Sequence, residues 1–243
     1  MIITFHTKKG GTGKSSSILS LCSVLAEVNA ARETPYRFCV VDADETVGTC
    51  RRFDHARRKI GLPDHGITFR HMPPTAASQR TLAALRDDHQ LVLVDMPGAF
   101  DAEATAFALE ADLIVVPTAL GVDEVGRAIE VADTFGDLVG KGGLATRIAL
   151  LITRCAPTFQ FETASAKQLY HHLRSSGLPV LQDVLPLEPA VRESCDGGLY
   201  LFELKQQAGR SKSAERAHAN AEHVLDACIH HKIMKPAPSG GAQ

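Results

Sequence analysis

Tryptophan is absent from the chain, and aromatic residues make up only 5% of its 243 positions. A core must therefore be filled mainly by aliphatic side chains, which the 44% hydrophobic content supplies. Long hydrophobic runs are missing too, since no stretch approaches the roughly 20 apolar residues that span a bilayer. The N-terminus carries neither a basic n-region nor an apolar segment with a cleavage site, so a secretory signal is not expected. Cysteine pairs of the C-x-x-C kind are lacking. The six cysteines are scattered, which reads as reduced thiols of a cytoplasmic protein. An excess of one charge is lacking as well: the formal net charge is -2, so any nucleic-acid contact has to come from a local patch. No nucleophile elbow, zinc pattern or repeated unit occurs. His171-His172 and His230-His231 are neighbours on helical stretches, whose side chains diverge and cannot share one ion.

What the chain does have is the stretch Lys8-Lys9-Gly10-Gly11-Thr12-Gly13-Lys14-Ser15. It follows the β-branched apolar run Met1-Ile2-Ile3-Thr4-Phe5 and precedes a helical pattern through Ile18, Leu21, Cys22 and Leu25. Strand, glycine-rich turn and helix in that order form a phosphate loop. Glycines let successive N–H groups point inward, and the helix N-terminus adds its positive dipole end. Lys14 is placed to reach the β- and γ-phosphates, and the Ser15 hydroxyl to ligate Mg2+. The general pattern asks for glycine where Lys8 stands, and a second lysine, Lys9, precedes the glycine pair.

Two more apolar runs end in carboxylates. Phe38-Cys39-Val40-Val41 leads into Asp42-Ala43-Asp44-Glu45, and Leu91-Val92-Leu93-Val94 into Asp95-Met96-Pro97-Gly98. Acids at the carboxyl ends of buried parallel strands lie where such sheets bind ligands. Further strands are predicted at 66–70, 112–118, 147–153 and 178–181. Helices are predicted at 76–88, 122–139, 159–176 and 213–231, with a glycine-rich turn at 140–143. The fold class is α/β: a P-loop NTPase with a mostly parallel central sheet flanked by helices. One domain is expected over 1–232, with a flexible Pro/Gly/Ser-rich tail over 233–243.

The string K-G-G-T-G-K-S resembles the deviant Walker A motif of the ParA/MinD family (SIMIBI class), and the likeness extends over roughly residues 1–205. Asp42 and Asp44 resemble its Walker A′ motif, Asp95 through Gly98 its D-x-P-[GP] loop, and Ala111-Asp112 through Pro117 its A-D-x-(apolar)-P segment. The resemblance implies an ATP hydrolase with ATP and Mg2+ as cofactors. Ser15, Asp42 and Asp95 would hold the metal, and Lys9, Lys14 and Asp44 would be catalytic. Lys9, Gly10, Gly11, Thr12, Gly13, Lys14, Ser15 and Ser16 would bind the phosphates. Thr153, Arg154, Pro186, Leu187 and Glu188 would line the adenine site, the last three mostly through backbone. Lys9 would reach across an ATP-bound homodimer to the partner's nucleotide, as an arginine finger does.

The ParA-type reading implies a partition or positioning switch that binds DNA without sequence preference, with hydrolysis stimulated by a ParB-like adaptor and a nucleoid-associated location. Lys205, Arg210, Lys212 and Arg216 are candidate DNA contacts. A second basic run, Arg51, Arg52, Arg57, Arg58 and Lys59, reads first as a solvated helix face and second as a patch facing DNA or a partner. A VirC-like factor in conjugative DNA transfer is a near variant. The alternative of another class is a MinD-like membrane-associated ATPase. Residues 229–236 end in proline and lack a large apolar face, which makes membrane contact the less expected outcome.

Overall fold

Continuous apolar strands need cover on both faces, and the chain supplies it by sending a helix back after nearly every strand. The computed structural model describes residues 1–156, 163–207, 211–230 and 233–234. Seven strands run parallel: β1 (Ile2–Phe5), β2 (Phe38–Asp42), β3 (Ile67–His71), β4 (Leu91–Asp95), β5 (Leu113–Thr118), β6 (Arg147–Ile152) and β7 (Val180–Leu181). The order across the sheet is β3-β2-β4-β1-β5-β6-β7, with the two-residue strand β8 (Ile233–Met234) beyond β7. The helices are α1 (Lys14–Ala30), α2 (Thr49–Lys59), α3 (Ala76–Asp88), α4 (Ala102–Ala108), α5 (Val122–Gly142), α6 (Ala164–Ser175), α7 (Pro189–Gly197), α8 (Leu201–Leu204) and α9 (Ser211–His230).

Alternate strand residues divide the core. Ile3, Phe5, Val40, Leu93 and Leu151 pack with α1, α2 and α9 on one face of the sheet. Ile2, Val41, Val92 and Ile152 pack with α3 to α6 on the other, around Phe107 and Phe135. With no tryptophan to fill space, phenylalanines sit at the centre of both layers, and each fully buried large apolar side chain contributes about 1.5–3 kcal/mol.

The structure departs from the sequence reading in three places. Ile233–Met234, assigned to the tail, form β8 and pair antiparallel with β7; Lys235 to Gln243 lie outside the described residues. The expected turn at 140–143 is helix up to Gly142. The Gly143 amide bonds Gly140 O and the Leu144 amide bonds Val139 O, with Gly143 at a left-handed φ of 60°. The seven-residue α4 is short enough to leave no periodic signal; it is opened by Asp101, whose carboxylate accepts the Ala104 N–H at 2.8 Å.

The basic run of α2 is split by Arg57, which is buried rather than solvated. Its guanidinium donates to both carboxylate oxygens of Glu203 at 2.7 Å and to Pro63 O and Gly198 O, and it lies 4.1 Å over the Tyr200 ring. This ties α2 to α8 across the top of α7. Burial opposes the Glu203 charge, but the bonds from Arg57 and from the Tyr200 amide hold its carboxyl below the ordinary value. A carboxyl lowered on folding adds stability above its unfolded pKa and loses it as the pH falls through the folded one. Glu203→Gln is therefore expected to cost about 3 kcal/mol at neutral pH, the order seen when one partner of a buried pair is removed. The deficit should shrink below the ordinary carboxylate pKa, as read by denaturant melts from pH 7 to pH 3; a deficit independent of pH excludes this assignment.

Candidate nucleotide and metal site

The phosphate-loop residues join the end of β1 to the start of α1, at the carboxyl edge of the sheet where β4 and β5 flank β1. Gly13 is the N-cap of α1 at a left-handed φ of 94°, and a Cβ there would stand 3.4 Å from Thr153 Oγ1. No acidic residue occupies the first turn of α1, so its free N–H groups face an uncompensated cleft. That open cleft, of about 590 Å3, is lined by Gly10, Gly11, Gly13, Lys14, Ser15 and Ser16, with Asp44, Gly98, Arg154 and Leu187 around them. Its volume falls in the range of small-molecule sites.

The loop is held from behind. Thr153 Oγ1 donates to Thr12 O at 2.7 Å, and the Arg154 guanidinium donates to Gly11 O. With these two carbonyls drawn back, the loop amides are left for a ligand. Arg154 does this from a left-handed backbone, φ 55°, at the turn after β6. From the other side the Asp95 loop closes in, such that a Cβ on Gly98 would lie 3.3 Å from Gly10 N. Beyond that loop, Phe100 stacks on His6 at the end of β1, ring centroids 5.2 Å apart, with Phe135 edge-on. Among the described residues His6 has no hydrogen-bond partner at either ring nitrogen, and burial, helped by Lys14, pushes its pKa down to about 3. It is a neutral wedge.

Lys14 is buried and folds across the loop, with Nζ 3.2 Å from Thr7 Oγ1. Burial lowers its pKa, while Asp95 and Asp44 pull the other way. Asp42 and Asp95 are register partners on adjacent strands, which sets the two carboxylates side by side. Asp42 accepts the Arg51 amide at 2.9 Å and the Asp44 amide at 3.2 Å. Asp95 is pushed up to about 6, first by burial and then by the Asp42 charge, against a hydrogen bond from Ser15. Its Oδ1 is buried without any partner among the described residues. An orphaned carboxylate oxygen beside a second acid and a serine hydroxyl suits a hard divalent cation, so Ser15, Asp42 and Asp95 fit Mg2+. Asp44 is more exposed. Its Oδ1 is turned onto the Thr46 and Val47 amides and the Thr46 hydroxyl, which outweigh burial and lower its pKa.

Lys9 projects at the mouth, with its side chain 45% exposed and Nζ 2.7 Å from Glu124 Oε1 on α5. Lys8 pairs with Glu130 of the same helix and lies over the Phe100 ring. Past the loop, Ser16, Pro186, Leu187 and Val191 enclose the cleft's inner end. Glu188, next in sequence, does not line the cleft; its buried carboxylate accepts from Arg216 and Ser213 at 2.7 Å. Of the expected DNA contacts, Arg216 is thus paired with Glu188, and Lys205 with Glu27 at 2.5 Å. Lys212 is exposed in the first turn of α9, and Arg210 lies outside the described residues. Lys205 belongs to a chain running Glu27–His218–Ser23, in which Ser23 is fully buried and accepts the Phe202 amide, so no nucleophile results.

The sequence reading did not place Glu124, Val191, Arg192 or Cys195 in the site; the last three line the cleft from α7. Thr153→Val removes the donor that holds Thr12 O and leaves that carbonyl unpaired. It is expected to weaken Mg·ADP binding about tenfold by calorimetry and to lower the melting temperature by a few degrees, since an unmade buried bond costs about 1–3 kcal/mol. Unchanged affinity would show the loop holding its shape unaided.

A family model described as VirC1 protein matches residues 1–231. Among curated proteins no relative matches. An alanine variant of McdA from Cyanothece, solved with ATP, is 12% identical over 92% of this chain and 96% of that one, with a TM-score of 0.68. MinD with Mg-ADP from Pyrococcus horikoshii OT3 is 19% identical over 95% and 98%, at 0.64. A plasmid partition protein from Borrelia burgdorferi is 16% identical over 95% and 98%, at 0.60. At such identities these likenesses speak for the fold. The family match spans nearly the whole chain, and with the phosphate loop, the paired aspartates and this sheet order it places the chain in the VirC1 protein family of ParA/MinD-like ATPases.

Proposed function

We propose that this chain is an ATP-driven dimer switch that acts on DNA. The observation that carries the reading is the contrast between two lysines five positions apart in one loop. Lys14 is buried within its own loop, whereas Lys9 stands at the rim, held by a surface ion pair that a stronger anion can displace. Within one subunit Lys14 grips the β- and γ-phosphates. Lys9 meets the γ-phosphate of a second subunit, placing positive charge where the transition state spreads negative charge. Asp44, released from the Thr46 and Val47 amides, orients the attacking water. Ser15, Asp42 and Asp95 would hold Mg2+, which would supply positive charge to offset that of the phosphates. Nucleotide thereby joins two protomers and hydrolysis parts them, with slow turnover that a ParB-like adaptor raises.

The VirC1 match favours a role in conjugative DNA transfer over plasmid partition, and both put the ATP dimer on DNA without sequence preference, in the cytoplasm at the nucleoid. The MinD-like membrane reading is the less supported. Among the described residues no helix is long and apolar enough to cross a membrane, and Ile233–Met234 pair with the sheet instead of extending an amphipathic helix.

Light scattering after gel filtration tests the switch. Wild type is expected to move from monomer to dimer with Mg·ATP. Lys9→Ala should bind nucleotide with similar affinity, remain monomeric and lose at least tenfold in turnover. A Lys9→Ala protein that dimerises and hydrolyses normally would sink the reading.

A further inference from the structure

With Arg57 withdrawn into the protein, the rest of the α2 basic run forms one surface. At 3.6 residues per turn, Arg51, Arg52, His55, Arg58 and Lys59 fall within an arc of about 120°, and all five are exposed. The opposite arc holds Cys50, Phe53 and Arg57, which are buried. Arg58 shares its charge with Asp54. His55 and Lys59 form no ion pair among the described residues, and Arg51 forms none either, although its charge is felt by Asp42. The cluster expected to bind DNA is poorer, because Lys205 and Arg216 already face Glu27 and Glu188.

Resting on the DNA-binding reading above, we infer that the outer face of α2 is a contact surface for the phosphodiester backbone of double-stranded DNA. The stripe itself holds no aromatic or aliphatic anchor; Ile60 stands just past its end. A protein partner needs such anchors to bind with any strength, whereas a phosphate backbone needs only cations. The stripe is also wired to the nucleotide cleft. Its first residue gives its amide to Asp42 Oδ2, and Arg52 donates to Val47 O at 2.6 Å in the loop that carries Asp44. A change at the carboxylate that holds the metal therefore moves the start of α2 directly. In a nucleotide-joined dimer two such stripes act together, and a weak patch becomes a usable one.

The test is fluorescence anisotropy of a mixed-sequence duplex titrated with Mg·ATP-loaded protein across a range of salt. Wild type is compared with the double variant Arg58→Gln/Lys59→Gln and with Lys212→Gln. Neither α2 position contacts the cleft, and Arg58 loses only an exposed ion pair, so melting temperature and DNA-free turnover should stay at wild-type values. The double variant is expected to lose about two per stripe, about four for the dimer, from the magnitude of the salt slope, roughly one per phosphate contact, and at least tenfold in affinity. Lys212→Gln should change both far less. Wild-type binding preserved in the double variant, or lost instead in Lys212→Gln, overturns the α2 assignment while the DNA reading stands. An ATP-loaded wild-type dimer that ignores the duplex overturns both.

Discussion

The site depends on the register that sets Asp42 opposite Asp95. Two acids at the ends of neighbouring parallel strands are forced together in a buried edge, where charge repulsion and loss of water both act against ionisation. Lys14, the Ser15 hydroxyl and the amides of Asp44 and Arg51 offset part of that cost, and among the described residues one oxygen of Asp95 is left over. The neighbourhood is chemically suited to a hard cation beside a polyanion. Every other element of the site, from the drawn-back loop carbonyls to the close approach of Gly98, keeps that arrangement in place.

Much of this was readable from short stretches. The glycine spacing before Lys14-Ser15 and the apolar runs ending in Asp42 and Asp95 are local signals, because the requirement they satisfy is local: a tight turn, or a buried strand that stops at the sheet edge. What stayed hidden depends on partners far along the chain. Lys205 looks like a free cation until the fold brings Glu27, 178 positions away, against it. Arg57 looks like one of five surface cations until Glu203 draws it inward. Glu188 was readable as part of the base-side loop, but not as an acid turned toward Arg216. Thr153 and Arg154 were assigned to the adenine. The structure adds that they brace the loop beneath the phosphates.

This pattern gives the protein two kinds of basic residue. One kind is spent on cohesion, joining α1, α2, α8 and α9 to one another through internal acids. The other kind is left at the rim of the cleft and along α2. A net charge near zero thus coexists with strongly cationic local surfaces.

The two margins of the sheet bear on how copies can assemble. One margin is β3, where Thr68, Arg70 and His71 are exposed; the other is the two-residue strand β8, which runs against its neighbours. Neither offers a long, flat apolar ribbon for a second molecule to extend, and a charged side chain on an outer strand discourages such growth. Fibre-like stacking through backbone pairing is thereby disfavoured, and self-association is directed to surfaces built from side chains, where it can be made and undone.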